Sequence, residues 1–388
     1  MDCNPSLYVR ERWWRRNPPN PPQSTWIIGA SSGIGKEMAL QLSQQHQQRQ
    51  QQHSSTTADN HGSLLILSSR NVDALEQVAQ ECRRQQQHYE TNDLRIVCLP
   101  LDVTNLPQLE SAVQQVCELT TTQQHDNGRK KQSESCSPAL DMVVMNAGSG
   151  VLSPALETDS NVVQTVLQTN ALWPMILTPL LLQHYPDPTR DPPNSTTSAP
   201  PQLLITSSIA AKVPVPLSAS YAAAKAALHH YFLSLATERP DLVIDLACPG
   251  PVDTQFHSNH IQSPVDDHGE EDSRDLDSKQ QVQEHPQQAS SSSSPLKMPV
   301  QRCAQLMLAA AARSWQPRRS AGVQESWICQ QPTLTALYLY QWCPSLLRPV
   351  LARIGTKRVN LWRRGLDLYN PSSWTAAAES SNESSPKR

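Results

Sequence analysis

Tyr221 and Lys225 stand four residues apart in Tyr221-Ala222-Ala223-Ala224-Lys225, the opening of an alanine-rich stretch over 221–238. A helix there puts both side chains on one face. A tyrosine at its reference pKa of about 10 is a sluggish acid–base group at neutral pH. An ammonium one turn away stabilises the phenolate and brings that pKa down. Ser208, thirteen residues before Tyr221, follows an apolar run, where its hydroxyl could hydrogen-bond a substrate oxygen and stabilise charge developing on it. Such a set suits the interconversion of a carbonyl and an alcohol, which needs a proton at oxygen and a hydride at carbon. Each residue also has a bland reading: Tyr-x-x-x-Lys arises by chance, and Ser208 alone could be a turn residue.

A second group of residues could hold the hydride carrier. Gly29-Ala30-Ser31-Ser32-Gly33-Ile34-Gly35 lies between the apolar run 26–28 and a helical pattern, and reads as strand, phosphate loop, helix. Of Gly29, Gly33 and Gly35, one permits a sharp turn, one lets a pyrophosphate approach backbone N–H groups, and one lets helix pack on strand. The helix N-terminus adds partial positive charge for an anion. Ser69 and Arg70 follow the apolar run 64–68, where a dinucleotide fold meets the adenosine ribose. A carboxylate there would accept from the 2′-hydroxyl, whereas a small residue followed by Arg accommodates a 2′-phosphate. Arg70 thus points to NADP(H) in preference to NAD(H), against the alternative of an exposed arginine at a helix start. Asp102 can hydrogen-bond an adenine amino group while Val103 covers the ring face, or it can cap the next helix. Asn146-Ala147-Gly148 closes the run 140–145 with small residues that let a cofactor lie close to the chain.

Six apolar strands, over 26–28, 64–68, 94–99, 140–145, 203–206 and 242–248, alternate with helical patterns over 72–84, 109–119, 161–182 and 221–238. Pro174 and Pro179 should kink or divide the third of these helices. The alternation predicts right-handed βαβ crossovers and an α/β fold: one Rossmann-fold domain with a doubly wound, mostly parallel sheet and a helical C-terminal extension. The chemistry-bearing residues fall at the C-terminal ends of the strands, where such sheets bind ligands.

The chain has 388 residues and a net charge of −3, which points to no nucleic-acid partner. Gln, Ser, Pro and His pile up in segments that cannot bury a core, leaving roughly 270 residues for one domain and an appendage. The expected organisation is a solvated tail over 1–23, the catalytic domain over 24–258 with low-complexity inserts at 44–62 (a disordered loop or a frayed extension of the preceding helix), 120–138 and 186–201, a disordered insert over 259–298, a helical and apolar extension over 299–370, and a disordered tail over 371–388. The N-terminus has neither a signal-peptide core nor a membrane span, so the chain is not expected to be secreted. Nine cysteines without a C-x-x-C pair read as buried free thiols in a reducing compartment. No metal-ligand pattern is present, and no metal is expected.

These motifs in this order make the chain resemble the short-chain dehydrogenase/reductase family, of the classical type, over 24–256. The resemblance rests on Gly29 to Gly35, Asp102-Val103, Asn146-Ala147-Gly148, Asn170, Ser208, Tyr221, Lys225 and Pro249-Gly250-Pro251-Val252-Asp253-Thr254. It implies a catalytic set of Asn170, Ser208, Tyr221 and Lys225, with Asn170 holding a water in the proton relay to Lys225. It also implies a cofactor site that includes Pro249, Gly250, Val252 and Thr254, with Thr254 on the nicotinamide carboxamide. The departures are Ile28 for a usual Thr, Met145 for a usual Asn, and Trp173-Pro174 where a Gly often follows the catalytic Asn. The segment 297–370 resembles more narrowly the C-terminal part of proteins like dehydrogenase/reductase family member seven. That resemblance implies retinoid or steroid carbonyls as substrates and the endoplasmic reticulum membrane surface as location, the cytoplasm being the other reading.

Residues 332–347 carry Leu334, Leu337, Leu339, Trp342, Leu346 and Leu347 without a charge, are broken by Pro344, and are followed by Arg348, Arg353, Lys357 and Arg358. The stretch is too short to span a bilayer. An interfacial anchor over 332–358, a hydrophobic substrate entrance, or packing onto the core all fit it. The expected partners are a small hydrophobic carbonyl or alcohol, a membrane surface, and a second copy of the chain. The rival functions are a catalytically idle NADP(H)-binding sensor or scaffold and a 3-oxoacyl thioester reductase.

Overall fold

A computed structural model describes residues 2–16, 18–52, 62–86, 94–125, 139–188, 190, 199–257, 297–312, 321–366 and 368. The chain opens with α1 (Pro5–Arg16), β1 (Ser24–Ile28), α2 (Gly33–Gln52), β2 (Ser63–Ser68), α3 (Val72–Gln86), β3 (Leu94–Cys98) and α4 (Leu106–His125). It continues through β4 (Met142–Met145), α5 (Ser160–Leu167), a π-helical turn (Gln168–Leu172), α6 (Trp173–Leu182), β5 (Gln202–Thr206), α7 (Ala219–Glu238) and β6 (Val243–Pro249). The two-residue strands β7 (Val252–Asp253) and β8 (Met298–Pro299) follow, then α8 (Val300–Ala311), β9 (Gly322–Ile328), α9 (Thr333–Trp342) and α10 (Pro344–Arg363).

Seven strands form one parallel sheet in the order β3-β2-β1-β4-β5-β6-β9. Strands β1, β2, β4, β5 and β6 are buried along their whole length, as apolar strands covered on both faces must be. The side-chain period of two splits each strand between two cores. Along β1, Trp26 and Ile28 join Val143, Met145, Leu203 and Ile205 under α4, α6 and α7. Ile27 joins Leu65, Leu67, Val144 and Leu204 under α2, α3 and α8. The chain leaves β1 toward β2 and β3, then returns to β4 on the other side. Between the C-terminal ends of β1 and β4 lies the switch point where an open sheet leaves a crevice.

All six predicted strands are present, and three expectations need correction. Inside the expected helical extension lies β9, a seventh strand paired along β6 from Val243↔Gly322 to Pro249↔Ile328. Val-Gln-Glu-Ser-Trp alternates without a continuous apolar run, because an edge strand buries less of itself. The expected solvated tail is instead helix α1, with Cys3 and Leu7 fully buried against α8. There Arg302 binds both Asp2 at 2.6 Å and the buried Glu11 at 2.5 Å, a pairing across about 300 residues that no local pattern could reveal. Finally, residues 120–125 of the second insert extend α4, while 44–52 of the first extend α2, in line with the helix-extension reading of that insert. Residues 53–61 and 126–138 of those inserts, most of 186–201, nearly all of 259–298 and all of 371–388 lie outside the described residues.

The helical run 160–182 is long and apolar enough by length and composition to cross a membrane. More than half of it is buried inside the fold, and its two halves pack on α4 and α7 as core helices. Burial also raises the thiols of Cys82, Cys303 and Cys329 to about 12, and no cysteine among the described residues forms a disulfide. Cys136 lies outside the described residues.

Candidate active site

Gly29 leaves β1 at φ +91°, and a Cβ placed on it would lie 2.5 Å from the Ala147 backbone nitrogen. A side chain there would drive β4 away from the loop, so only glycine closes the two strand ends together. Gly35 is as confined, since its added Cβ would meet the Gly29 carbonyl and the Asn146 amide. Asn146 ties the strand ends: its Nδ2 donates to the Gly29 carbonyl at 3.0 Å, and its Oδ1 accepts from Thr206 Oγ1 at 3.1 Å. Ile28 and Met145, the two departures beside these motifs, are buried in the core. Ser31 and Ser32 lie on the loop leading into α2, Ile34 is in the first turn of that helix, and Thr254 stands 3.4 Å from where a Gly33 Cβ would be. Val252 is buried, its backbone paired with Met298. Gly250 follows β6 with Cys329 pressed against it: an added Cβ would fall 2.5 Å from the Cys329 Cβ.

Arg70 and Asp102 line one open pocket of about 410 Å³ with Pro100, Leu101, Gln108 and Ala112. Arg70 is exposed and has no ion-pair or hydrogen-bond partner among the described residues. Asp102 spends Oδ1 on its own turn, accepting from Thr104 N at 2.9 Å and Thr104 Oγ1 at 2.7 Å. Thr104 precedes α4, so this oxygen closes a local turn and does not cap that helix. Val103, at 5% exposure, packs with the core residues of the neighbouring helix α4.

Lys225 is buried, and its Nζ donates to the Thr206 carbonyl at the end of β5 at 2.9 Å. Its amine lies 5.8 Å from the centroid of the Tyr221 ring. Desolvation pushes the ammonium down to about 8, because burial removes water from the charged form. Ser208 caps the short 3₁₀ turn Ile209–Ala211, accepting from Ala210 N at 3.1 Å and pointing its proton at the Pro249 carbonyl over 3.4 Å. That last distance exceeds an ordinary O–H···O bond, so redirecting the proton to a substrate oxygen costs little.

Asn170 sits in the π-helical turn, and Pro174 explains why the helix changes there. Pro174 has no N–H to return to the Asn170 carbonyl. The Trp173 N–H reaches back to Gln168, and the buried Trp173 indole donates to the Thr169 carbonyl at 3.0 Å. The Asn170 amide is fixed by Ser149 and Val166 carbonyls, each at 2.9 Å, and accepts from Ser149 N at 3.2 Å. Asn170 and Lys225 meet above Gly148, where an added Cβ would lie 2.8 Å from Asn170 Oδ1 and 3.7 Å from Lys225 Nζ. The expected four residues are thus gathered around the ends of β4, β5 and β6.

The sequence reading missed two contributors. Phe256 packs edge-on to Tyr221 with ring centroids 5.7 Å apart and touches Gly150, adding an apolar wall. Leu217, at φ +67°, seats Leu361 and Trp362 of α10 on the loop beside the site. The glycine cradle, the unpartnered Arg70 and the buried Ser149 hydroxyl with no partner fit a dinucleotide lying along the strand ends.

Comparison with known proteins agrees with this architecture. The family model of the short chain dehydrogenases matches residues 23–264. Dehydrogenase/reductase SDR family member 7 of Homo sapiens is 28% identical over 352 residues, which cover 88% of this chain and 80% of that protein. Its Mus musculus counterpart is 26% identical over 348 residues, with the same coverage of 88% and 80%. Among solved structures, an alcohol dehydrogenase from the archaeon Thermococcus sibiricus complexed with 5-hydroxy-NADP superposes with a TM-score of 0.51. At 19% identity, with 80% of this chain and 98% of that one covered, that match speaks to the fold alone.

Proposed function

The chain belongs to the short chain dehydrogenase family, and from that premise we propose that it interconverts carbonyls and alcohols on hydrophobic, retinoid- or steroid-like substrates with NADP(H) in preference to NAD(H). It is an NAD(P)(H)-type oxidoreductase by family; the cofactor preference, the substrate class and the residue roles are the proposal. NADPH, when bound, supplies the hydride. Gly29, Ser31, Ser32, Gly33, Ile34 and Gly35 would hold its pyrophosphate, Arg70 its 2′-phosphate, and Asp102 its adenine end. Asn146, Ala147, Gly148, Pro249, Gly250, Val252 and Thr254 would hold the nicotinamide half.

The observation that carries the reading is the desolvated Lys225 ammonium fixed to β5 one turn from Tyr221. A cation that burial has made costly gains most from a negative neighbour, so the phenolate of Tyr221 is its natural partner. Tyr221 then moves a proton to or from the substrate oxygen, Ser208 donates to that oxygen as charge develops, and Asn170 holds a relay water. Phe256 and Leu217 make the approach apolar, which favours an apolar substrate.

The exposed Leu339, Trp342, Leu346, Val350 and Ile354 of α9 and α10, with six Arg and Lys and no carboxylate over 333–365, support rest on an anionic membrane surface. Leu334 and Leu337 of the same segment pack instead on Ile209 and Cys248, so one side of α9 anchors the C-terminus to the site. Tyr221→Phe tests the core of the proposal: it removes one oxygen, and should abolish turnover while NADPH affinity stays.

A further inference from the structure

A second buried polar chain lies directly behind Ser208. Ser207 Oγ is 3.1 Å from His229 Nδ1, and His229 Nε2 is 3.1 Å from Glu325 Oε2 on β9. Glu325 also takes Lys212 Nζ at 2.9 Å and the Trp327 indole N–H. Burial alone would raise the Glu325 carboxyl, yet the bonds from His229, Trp327 and Lys212 hold it down at about 2. Being an anion it can only accept, so His229 donates its Nε2–H to it, and in the neutral imidazole Nδ1 accepts from the Ser207 hydroxyl.

Hydroxyl, imidazole and carboxylate in this order resemble a nucleophile triad. However, Ser207 is 2% and His229 1% exposed, and a nucleophile no substrate can reach performs no chemistry. What the chain does touch is the backbone on both sides of Ser208. Ser207 precedes it and is held through His229; Lys212 ends the short turn that Ser208 caps and is held through Glu325. Lys225 grips Thr206 one residue earlier. Tyr221, Lys225 and His229 recur every four residues along α7, so one helix face sets the acid–base tyrosine and the loop of its serine partner in a single frame.

We propose that His229 is a positioning residue, which with Glu325 clamps the 206–212 segment and fixes the Ser208 hydroxyl relative to Tyr221. The inference rests on the carbonyl-reducing function proposed above. It also gives β9 a role: its Glu325 reaches the active-site loop across β6.

The test combines amide hydrogen exchange over 206–213, which needs no turnover, with reductase kinetics at saturating NADPH. His229→Leu, and Ser207→Ala as the milder deletion of the same contact, should speed exchange at Ala210 and Lys212. Each should lower kcat about tenfold through misplacement of Ser208, while NADPH affinity is unchanged. His229→Asn, which keeps a polar atom near the Nδ1 position, should recover most of the activity. In a Ser208→Ala background, His229→Leu should cause no further loss, because its effect passes through Ser208. Unchanged exchange in both variants overturns the clamp, and a full tenfold loss in the Ser208→Ala background overturns its action through Ser208. Faster exchange in the variants together with wild-type protein that reduces no carbonyl refutes the proposed function and leaves the clamp standing.

Discussion

Trp173 donates its indole N–H to the Thr169 carbonyl at 3.0 Å, and this bond seats a bulky residue three positions after Asn170. The π-helical turn frees the Thr169 carbonyl, the indole takes it up, and Asn170 keeps its place beside Gly148. Trp173→Gly should therefore lower stability by about 3–5 kcal/mol through the cavity it leaves. Trp173→Phe should cost about 1–2 kcal/mol for the unpaired carbonyl and reduce kcat more than NADPH affinity. Thermal unfolding with parallel kinetics checks both, and higher turnover in the glycine variant would contradict the account.

Lys225 makes function and stability oppose each other. Its folded-state pKa of about 8 lies below the 10.5 of the free side chain, so between these values the folded protein binds fewer protons than the unfolded chain. Stability without nucleotide should rise with pH across that window, by up to about 3 kcal/mol. Lys225→Met should flatten the rise and raise the neutral-pH melting temperature while turnover disappears. In the wild type, reductive turnover should fall as pH passes about 8 and the ammonium is lost. Melting curves from pH 7 to 10.5 for both proteins decide it.

Arg70 faces an open pocket with no ion-pair partner among the described residues. Arg70→Ala should weaken NADPH binding roughly 10- to 100-fold, the worth of a charge-assisted phosphate bond, and leave NADH binding nearly unchanged. Nucleotide titrations by fluorescence measure this, and an equal effect on both nucleotides would place Arg70 outside the cofactor site.

Trp342 and Leu346, 83% and 75% exposed, should govern association with membranes. Co-sedimentation with phosphatidylserine vesicles should fall about tenfold in the Trp342→Ala, Leu346→Ser protein, and weaken in the wild type as salt rises. Carbonyl reduction of a soluble substrate should be unaltered. Equal binding by both proteins would remove this face from the account.

The sheet and the site were legible in the sequence to different depths. Apolar runs ending in Gly29, Asn146, Ser208 and Pro249 announced strands and chemistry together, because a fully buried strand must be apolar and its ligand-binding end must be small or polar. β9 stayed hidden because Glu325 and Ser326 interrupt it, and the Glu325 charge is made tolerable by Lys212 and His229, distant in sequence. Helix α1 stayed hidden for the same reason, its one buried charge, Glu11, being matched by Arg302. Spacing four residues apart along α7 did announce Tyr221 and Lys225, and His229 continued the series unnoticed because only the fold supplies its partners.

The most direct measurement is oxidation of NADPH and NADH by purified wild-type and Tyr221→Phe protein against retinal, a 3-ketosteroid and an acetoacetyl thioester. The account predicts turnover of retinal or the steroid with NADPH preferred, abolished in Tyr221→Phe with NADPH affinity retained. Tight NADPH binding without turnover of any carbonyl, preference for the thioester, or a Tyr221→Phe protein as active as wild type would contradict it.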